Sequence, residues 1–401
     1  MSGAGIDAGI ESTGARILII TQDFPPRPGG IARYYTDLAT GWGAGCTVMS
    51  GAWNGQVAQA RGAESVVPLV RVDAQEANRF LAIRRATRQL RARVHAERPS
   101  IVLAGNIRPY ALPVRRVAIA ERIPWGFFLH GKDILRTARR WKPHPVKRLR
   151  WRLLMDAAIV IANSRFTAGE AARLGVPADH IVVVPPEVDT RRFRPPRDRD
   201  EVRHERRRLG LPLDGLLTLF VGRLIERKGL SDLFEALART PGARLVVVGS
   251  GASEPWRTRA AAAGVADRVH FGGSPTEDDL PCWYRAADLF VAASQHTMRT
   301  GEVEGFGIVL LEAQASGLPV LATRAGGVPE AVQEDATALL VEPGDNAALA
   351  ASWRRLLEDA GLRRQMSEAA RAGPPAWLGP GSSARALATA LAARFGRAGI
   401  A

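Results

Sequence analysis

The chain has 401 residues, too many for one ordinary hydrophobic core, and its 46% apolar and 24% charged residues are those of a globular protein of two domains. Two cysteines, Cys46 and Cys282, exclude a disulfide framework or a zinc quartet and fit a reducing compartment. The first residues show no basic-then-apolar leader, and no run reaches the roughly 18 apolar residues of a membrane span. The net charge of +15 is unevenly placed: residues 1–200 hold 32 Lys+Arg against 17 Asp+Glu, and residues 201–401 hold 23 of each. An excess confined to one half points to an anionic partner for that half. Arg-rich codon usage is the alternative, since Lys supplies only 4 of the 55 cations.

In chain order, "RILIITQDFPP" reads as a buried strand stopped by Pro-Pro. "GGIARYYTDLATGW" follows with helical spacing at Ile31, Tyr34, Tyr35 and Leu38, and "CTVMSG" is strand-like. Arg79–Glu97 predicts a basic helix closed by Arg98-Pro99. "SIVLAG", "PWGFFLHG", "AAIVIANS" and "IVVVPPEVD" are further buried strands. Thr190–Arg208 is charged, contains proline and has no apolar periodicity, so it reads as a linker. The pattern then restarts with "LLTLFVGR", a helix at Gly229–Thr240, "ARLVVVGSG", "RVHFGG", "ADLFVAAS" and "LPVLATRAGG", and a last helix follows "PPAWLGPG". Short apolar strands separated by helices imply parallel sheets covered on both faces. Paired domains of this kind bind ligands in the cleft between them, at the carboxyl ends of the strands.

Several residues stand just after strands. Arg223 and Lys228, at a strand–helix junction, suit a diphosphate; a solvated basic loop is the alternative. Gly29 and Gly30 open a helix whose amides suit a phosphate or sugar, or form a tight turn. No Gly-Lys-Ser/Thr follows, so this is not a nucleotide triphosphate loop, and "VVVGSGASE" has Glu254 where a dinucleotide fingerprint needs glycine. His130 ends a strand, where it binds a ligand, moves a proton or is structural. Glu304 and Glu312 flank "GFGIVLL": if a helix begins near Gly307, its first-turn amides favour an anion and the two carboxylates accept sugar hydroxyls. No His-Glu-x-x-His or Cys-x-x-Cys occurs, and the Asp-x-Asp at Asp198–Asp200 sits in the charged linker, so no metal site is expected.

Taken together, the Gly29-Gly30 loop, "HG" at His130–Gly131, "VDTRRFRP", "GRLIERKG", "VVVGSG" and "EGFGIVLLEAQASGLPVLATRAGGVPE" resemble the retaining glycosyltransferases of family 4 over nearly the whole chain. The resemblance implies an α/β GT-B fold, two Rossmann-like domains facing each other across a cleft. It implies an acceptor-binding domain over residues 1–192, a charged linker over 193–208, a donor-binding domain over 209–375, and a C-terminal helix, 376–401, crossing back to the first domain. It implies Glu304 and His130 at the donor sugar, Arg223 and Lys228 on the leaving diphosphate, Glu312 on the nucleotide ribose, and Gly29, Gly30, Gly249, Gly305, Phe306, Gly307 and Ile308 around phosphate or sugar. Asp23, Asp133, Asn163 and Arg165 are expected on the acceptor side. The reaction implied is retaining hexosyl transfer from a nucleotide-diphosphate sugar to a lipid or small-molecule hydroxyl, with no metal or other cofactor and no nucleic-acid partner. "TQDFPPRPGGI" resembles the phosphatidylinositol mannosyltransferase branch, which uses GDP-mannose at the inner membrane face; "PPEVD" departs from the Asn-Gly-Val-Asp common there. The basic stretches Arg79–Arg98 and Arg136–Arg152, with Trp141 and Trp151, suit an anionic membrane, so the expected location is the cytoplasm and its membrane face. Alternatives are transfer from a UDP-sugar to a soluble aminocyclitol or other metabolite, a sugar-nucleotide epimerase of this fold, or a basic binding module without activity.

Overall fold

The computed structural model describes residues 15–27, 29–51, 66–69, 79–107, 109–131, 145–296, 303–373 and 378–396. The chain divides into two compact units: Met1–Glu187 with Pro380–Ala401, and Val188–Gly379.

In the first unit, β1 (Ile17–Thr21), β2 (Cys46–Gly51), β3 (Val66–Leu69), β4 (Ile101–Ala104), β5 (Trp125–Leu129), β6 (Ile159–Ala162) and β7 (Ile181–Val183) form a parallel sheet in the order β3-β2-β1-β4-β5-β6-β7. The order reverses at β1/β4, where open α/β sheets bind ligands. Residues Ile17 to Ile20 are almost fully buried, as a strand covered on both faces must be. Helix α1 (Gly30–Trp42) buries Tyr34, Tyr35 and Leu38 of the predicted spacing, and Trp42 with them, while Ile31 is half-buried. Among the described side chains, helix α2 (Arg79–Glu97) buries the stripe Ala86, Leu90 and Val94, and Arg98 takes a positive φ before Pro99. Helices α3 (Ala111–Glu121) and α4 (Pro145–Asp156) continue that layer, and α5 (Arg165–Arg173) follows β6. The last helix, α13 (Ser382–Phe395), belongs to this unit and packs on α1. Its uncapped amides at Gly381 and Ser383 donate to the buried Glu187 carboxylate at 2.7 and 2.8 Å.

The second unit holds β8 (Thr218–Val221), β9 (Leu245–Val248), β10 (Val269–Gly273), β11 (Leu289–Ala292), β12 (Val320–Thr323) and β13 (Ala338–Val341), parallel in the order β10-β9-β8-β11-β12-β13. Alternation along β8 sends Leu219 and Val221 into one core and Phe220 into the other. Each buried side chain of that size contributes about 1.5–3 kcal/mol. Helices α7 (Leu230–Ala238), α8 (Glu254–Ala262), α9 (Leu280–Ala286), α10 (Ile308–Ala315), α11 (Asn346–Glu358) and α12 (Ala360–Arg371) cover the two faces.

The stretch 193–208, read above as a linker, is folded into this second unit. Phe193 is fully buried against Tyr284, with ring centroids 5.5 Å apart. Residues Arg199–Arg208 form helix α6, capped where Asp198 Oδ1 accepts the Glu201 amide at 2.8 Å. The helix turns ion pairs inward: Glu205 binds Arg285 at 2.6 Å, and Arg206 reaches Asp288 at 2.6 Å and the Ala286 carbonyl at 2.9 Å. Apolar periodicity is missing because charged groups make the buried face.

Candidate active site

In the second unit the candidates gather after β8 and β11, at the point where this sheet's strand order also reverses. β8 ends at Val221, Arg223 follows, and a single 3-10 turn, Glu226–Lys228, leads into α7. Glu304 lies in the loop between β11 and α10. Its Oε2 accepts from Lys228 Nζ at 2.6 Å, Arg227 at 3.0 Å and the Ser294 hydroxyl at 3.3 Å. Among the described residues, Oε1 receives no donor, which leaves an acceptor for a hydroxyl. Burial alone pushes the Glu304 carboxyl up, but Lys228 and Arg227 outweigh it and hold the group far below the usual carboxylate range. Burial lowers the Lys228 ammonium from its usual value; Glu304 opposes this, while Arg227 and Arg223 add to the lowering. Arg223 is exposed and has no ion-pair partner among the described residues. Three cations against one carboxylate make this corner positive.

Two glycines hold the Glu304 loop. A Cβ on Gly326, whose φ is +59°, lies 2.2 Å from the Glu304 carbonyl oxygen, and one on Gly327 lies 2.2 Å from that of Gly305. The Gly327 amide donates to the Glu304 carbonyl at 3.0 Å. Helix α10 then starts at Ile308 after Gly307, with no side-chain cap; the Leu310 amide donates to the Gly307 carbonyl at 2.9 Å, and the amides of Ile308 and Val309 have no intrahelical partner. The helix is apolar nearly all round and buried, which explains its run of Leu and Ala. Glu312 and Gln314 are the buried polar exceptions; Glu312 is 3% exposed, and its Oε2 accepts from the Tyr284 hydroxyl at 2.6 Å, while the Gln314 amide donates to the Ala331 carbonyl at 2.7 Å. Gly249 packs the loop after β9 onto the loop after β8: a Cβ there meets the Gly222 carbonyl oxygen at 1.9 Å.

In the first unit, His130 follows β5 and lies among rings: Tyr34 and Tyr35 approach edge-on with centroids at 5.5 Å, and Phe128 stacks at 6.4 Å. Its Nε2 is 2.7 Å from the Tyr35 hydroxyl, which donates to the Gly105 carbonyl. Burial lowers His130 to about 4, against the nearby Asp23 carboxylate. Asp23 accepts from Asn106 at 2.6 Å and pairs with Arg27 at 2.9 Å. Gly29 and Gly30 are exposed at the uncapped start of α1. Asn163 is buried, and its oxygen accepts from Thr167 at 2.9 Å where α5 begins; Arg165 is exposed on the first turn of that helix. Asp133 and residues 136–144, Trp141 among them, lie outside the described residues. Asp198 and Asp200 sit at the start of α6, and among the described residues no group of three or more His, Cys, Asp or Glu is placed to hold a metal ion.

Family models match both units, "Glycosyltransferase Family 4" over residues 28–192 and "Glycosyl transferases group 1" over residues 201–373. The GDP-mannose-dependent alpha-(1-6)-phosphatidylinositol monomannoside mannosyltransferase of Mycobacterium tuberculosis is 35% identical over 82% of this chain and 85% of its own length. The chain belongs to the family 4 glycosyltransferases. Among other members, the D-inositol 3-phosphate glycosyltransferase of Acidothermus cellulolyticus is 42% identical over 54% of this chain and 50% of its own. Anabaena HepE, solved with UDP-glucose, superposes with a TM-score of 0.77 at 21% identity, covering 94% of this chain and 100% of that one, which shows the GT-B fold.

This family 4 glycosyltransferase is thus a retaining enzyme acting on a nucleotide sugar. The sequence singles out Lys228 and Glu304, which the structure brings together; the structure adds Arg227 and Ser294 on Glu304, Tyr284 on Glu312, Tyr35 on His130 and Asn106 on Asp23. Arg227 lies within GRLIERKG, and its position beside Lys228 is the available signal. Tyr35 read only as a core residue of α1.

Proposed function

We propose that the enzyme moves mannose from GDP-mannose to a hydroxyl of an inositol phosphate-bearing acceptor, with the second unit taking the donor and the first the acceptor. The match to the mycobacterial mannosyltransferase along most of both chains carries this reading, and inositol recurs in the second relative's name. In the second unit, Arg223 and Lys228 bind the diphosphate, assisted by the amides of Phe306, Gly307 and Ile308 leading into α10. Glu304 accepts sugar hydroxyls, and Glu312 accepts from the ribose. The acceptor oxygen bonds to the anomeric carbon on the face from which the diphosphate leaves. The sugar–phosphate bond breaks with its electron pair going to the phosphate oxygen, which takes the acceptor proton. Developing charge on that oxygen is what Arg223 and Lys228 stabilise.

Among the described residues no helix is long and apolar enough to cross a membrane. The neighbouring helices α2, α3 and α4 expose Leu81, Ile119 and Trp151 beside Arg84, Arg85, Arg88, Arg116 and Arg152, a composition that supports contact with an anionic membrane surface at the cytoplasmic face.

Donor and acceptor are tested together. The purified enzyme is incubated with GDP-mannose, UDP-glucose or UDP-N-acetylglucosamine, each with phosphatidylinositol vesicles or free inositol phosphate, and the product anomer is read by NMR. Mannose transferred with retained α configuration is expected. Turnover of UDP-sugars alone, onto the soluble acceptor, would replace this reading with that of an inositol-phosphate glycosyltransferase resembling the Acidothermus relative.

A further inference from the structure

The turn that carries Arg227 and Lys228 is held by the three residues that follow β11. Gly229, at φ +71°, sits so close to Ala293 that a Cβ there would come within 1.8 Å of the Ala293 carbonyl oxygen. The Gln295 amide donates to the Arg227 carbonyl at 2.9 Å. The Gln295 side chain returns to the same element and donates to Asp232 Oδ2, on the first turn of α7. A carboxylate only accepts, so the amide nitrogen of Gln295 is the end that faces it. Ser294, between the two, gives its hydroxyl to Glu304 Oε2 at 3.3 Å, and its carbonyl accepts from Thr323 Oγ1 at 2.5 Å, which ties the segment to β12.

Helix α7 does not need a buried carboxylate to stay docked. Leu230, Leu233, Phe234 and Leu237 already bury it in the core. Apolar burial is non-directional and does not by itself set how a helix lies along a sheet, whereas a hydrogen bond fixes a direction. Burying Asp232 costs free energy, which the side-chain amides of Gln295 and Asn346 offset. That cost is spent at one place, the helix turn next to Lys228. A Lys ammonium stands on a flexible stem of four carbons, so its reach is set by where the backbone puts it.

We propose that Gln295 and Asp232 are positioning residues: their hydrogen bond, with the Gln295 amide on the Arg227 carbonyl, latches the turn so that Lys228 reaches both Glu304 and the second phosphate of a nucleoside diphosphate. The phosphate half of this inference rests on the function proposed above; the latch half does not.

The test has one arm for each half. Gln295→Glu sets two carboxylates face to face, and adding Asp232→Asn to it restores the hydrogen bond with donor and acceptor exchanged. In the ligand-free full chain, amide hydrogen exchange over residues 223–238 is expected to be about tenfold faster in the single variant and within about threefold of wild type in the double. Gln295→Asn, which shortens the reach without adding charge, is the milder break and is expected to speed exchange about threefold. Wild-type protection in both single variants, or no recovery in the double, overturns the latch and leaves the diphosphate reading standing. Calorimetry then compares GDP or UDP, whichever the wild type binds more tightly, with its own monophosphate. Diphosphate affinity is expected to fall about tenfold in Gln295→Glu and to return to within about threefold in the double, with monophosphate affinity within about twofold of wild type throughout. Equal losses for the two nucleotides would make the pair a structural staple only and overturn the proposal. A wild type that binds the monophosphate as tightly as the diphosphate overturns the diphosphate reading and the phosphate half with it, whatever the exchange shows.

Discussion

The first unit surrounds His130 with Tyr34, Tyr35 and Phe128 and keeps it neutral, whereas the second pairs Glu304 with Lys228 and Arg227 and keeps it charged. Both groups follow strands of a parallel sheet, so the backbone supplies the same platform twice. What differs is the material around the group. Aromatic packing excludes water and suppresses charge, while ion pairs exclude water and enforce it. Under the proposed function, the second unit's fixed cations meet the charge of a leaving diphosphate, whereas the first unit offers an uncharged ring.

That contrast can be broken first in the second unit's stability. Arg206 is 4% exposed and donates to Asp288 and to the carbonyls of Ala286, Leu213 and Gly215. Removing one member of such a buried network leaves charge and carbonyls unpaired, at about 3–5 kcal/mol. Arg206→Ala is expected to lose that much in urea unfolding of the full chain; a loss under about 1 kcal/mol would show that this unit does not stand on its buried ion pairs. Next comes catalysis. Lys228→Ala is expected to lower kcat about 100- to 1,000-fold with an unchanged circular dichroism spectrum, by analogy with lost oxyanion donors. Near-wild-type turnover would move the diphosphate elsewhere.

The smallest effect is in pH dependence. His130 has its folded value lowered to about 4 against about 6.5 unfolded, so the unfolded chain binds the proton first. Its contribution is complete above about pH 6.5 and is lost as pH falls toward 4. His270, in the second unit, is lowered in the same direction by burial and by Arg257. Glu201, held at about 2 chiefly by Arg194, contributes above about pH 4.3 and loses that only as pH falls toward 2. Between pH 7 and 5 the wild type should therefore lose stability that His130→Gln keeps, in urea midpoints taken at both values. Parallel profiles for the two proteins would contradict the buried neutral ring.

Strands buried on both faces and helices with a clear stripe were legible in the sequence, because burial writes itself as apolar runs. The edge strands β3 and β13 were not. They are short, and β3 contains Pro68, which edge positions tolerate. Helix α6 was missed because its inward face is ionic, so no apolar period marks it. In the site, Lys228 and Glu304 were legible as charges placed at strand–helix junctions. Their joining was not, since Arg227 meets Glu304 across 77 residues and Tyr35 meets His130 across 95. Only the folded sheet brings those pairs together.

The central claim is that the corner formed by Arg223, Lys228 and Glu304 grips a nucleotide diphosphate. Calorimetric titration of GDP into the wild type, Arg223→Ala and Lys228→Ala measures this without any acceptor. Binding by the wild type, weakened at least about tenfold in each variant, is the predicted result. Equal affinity in all three proteins would contradict it.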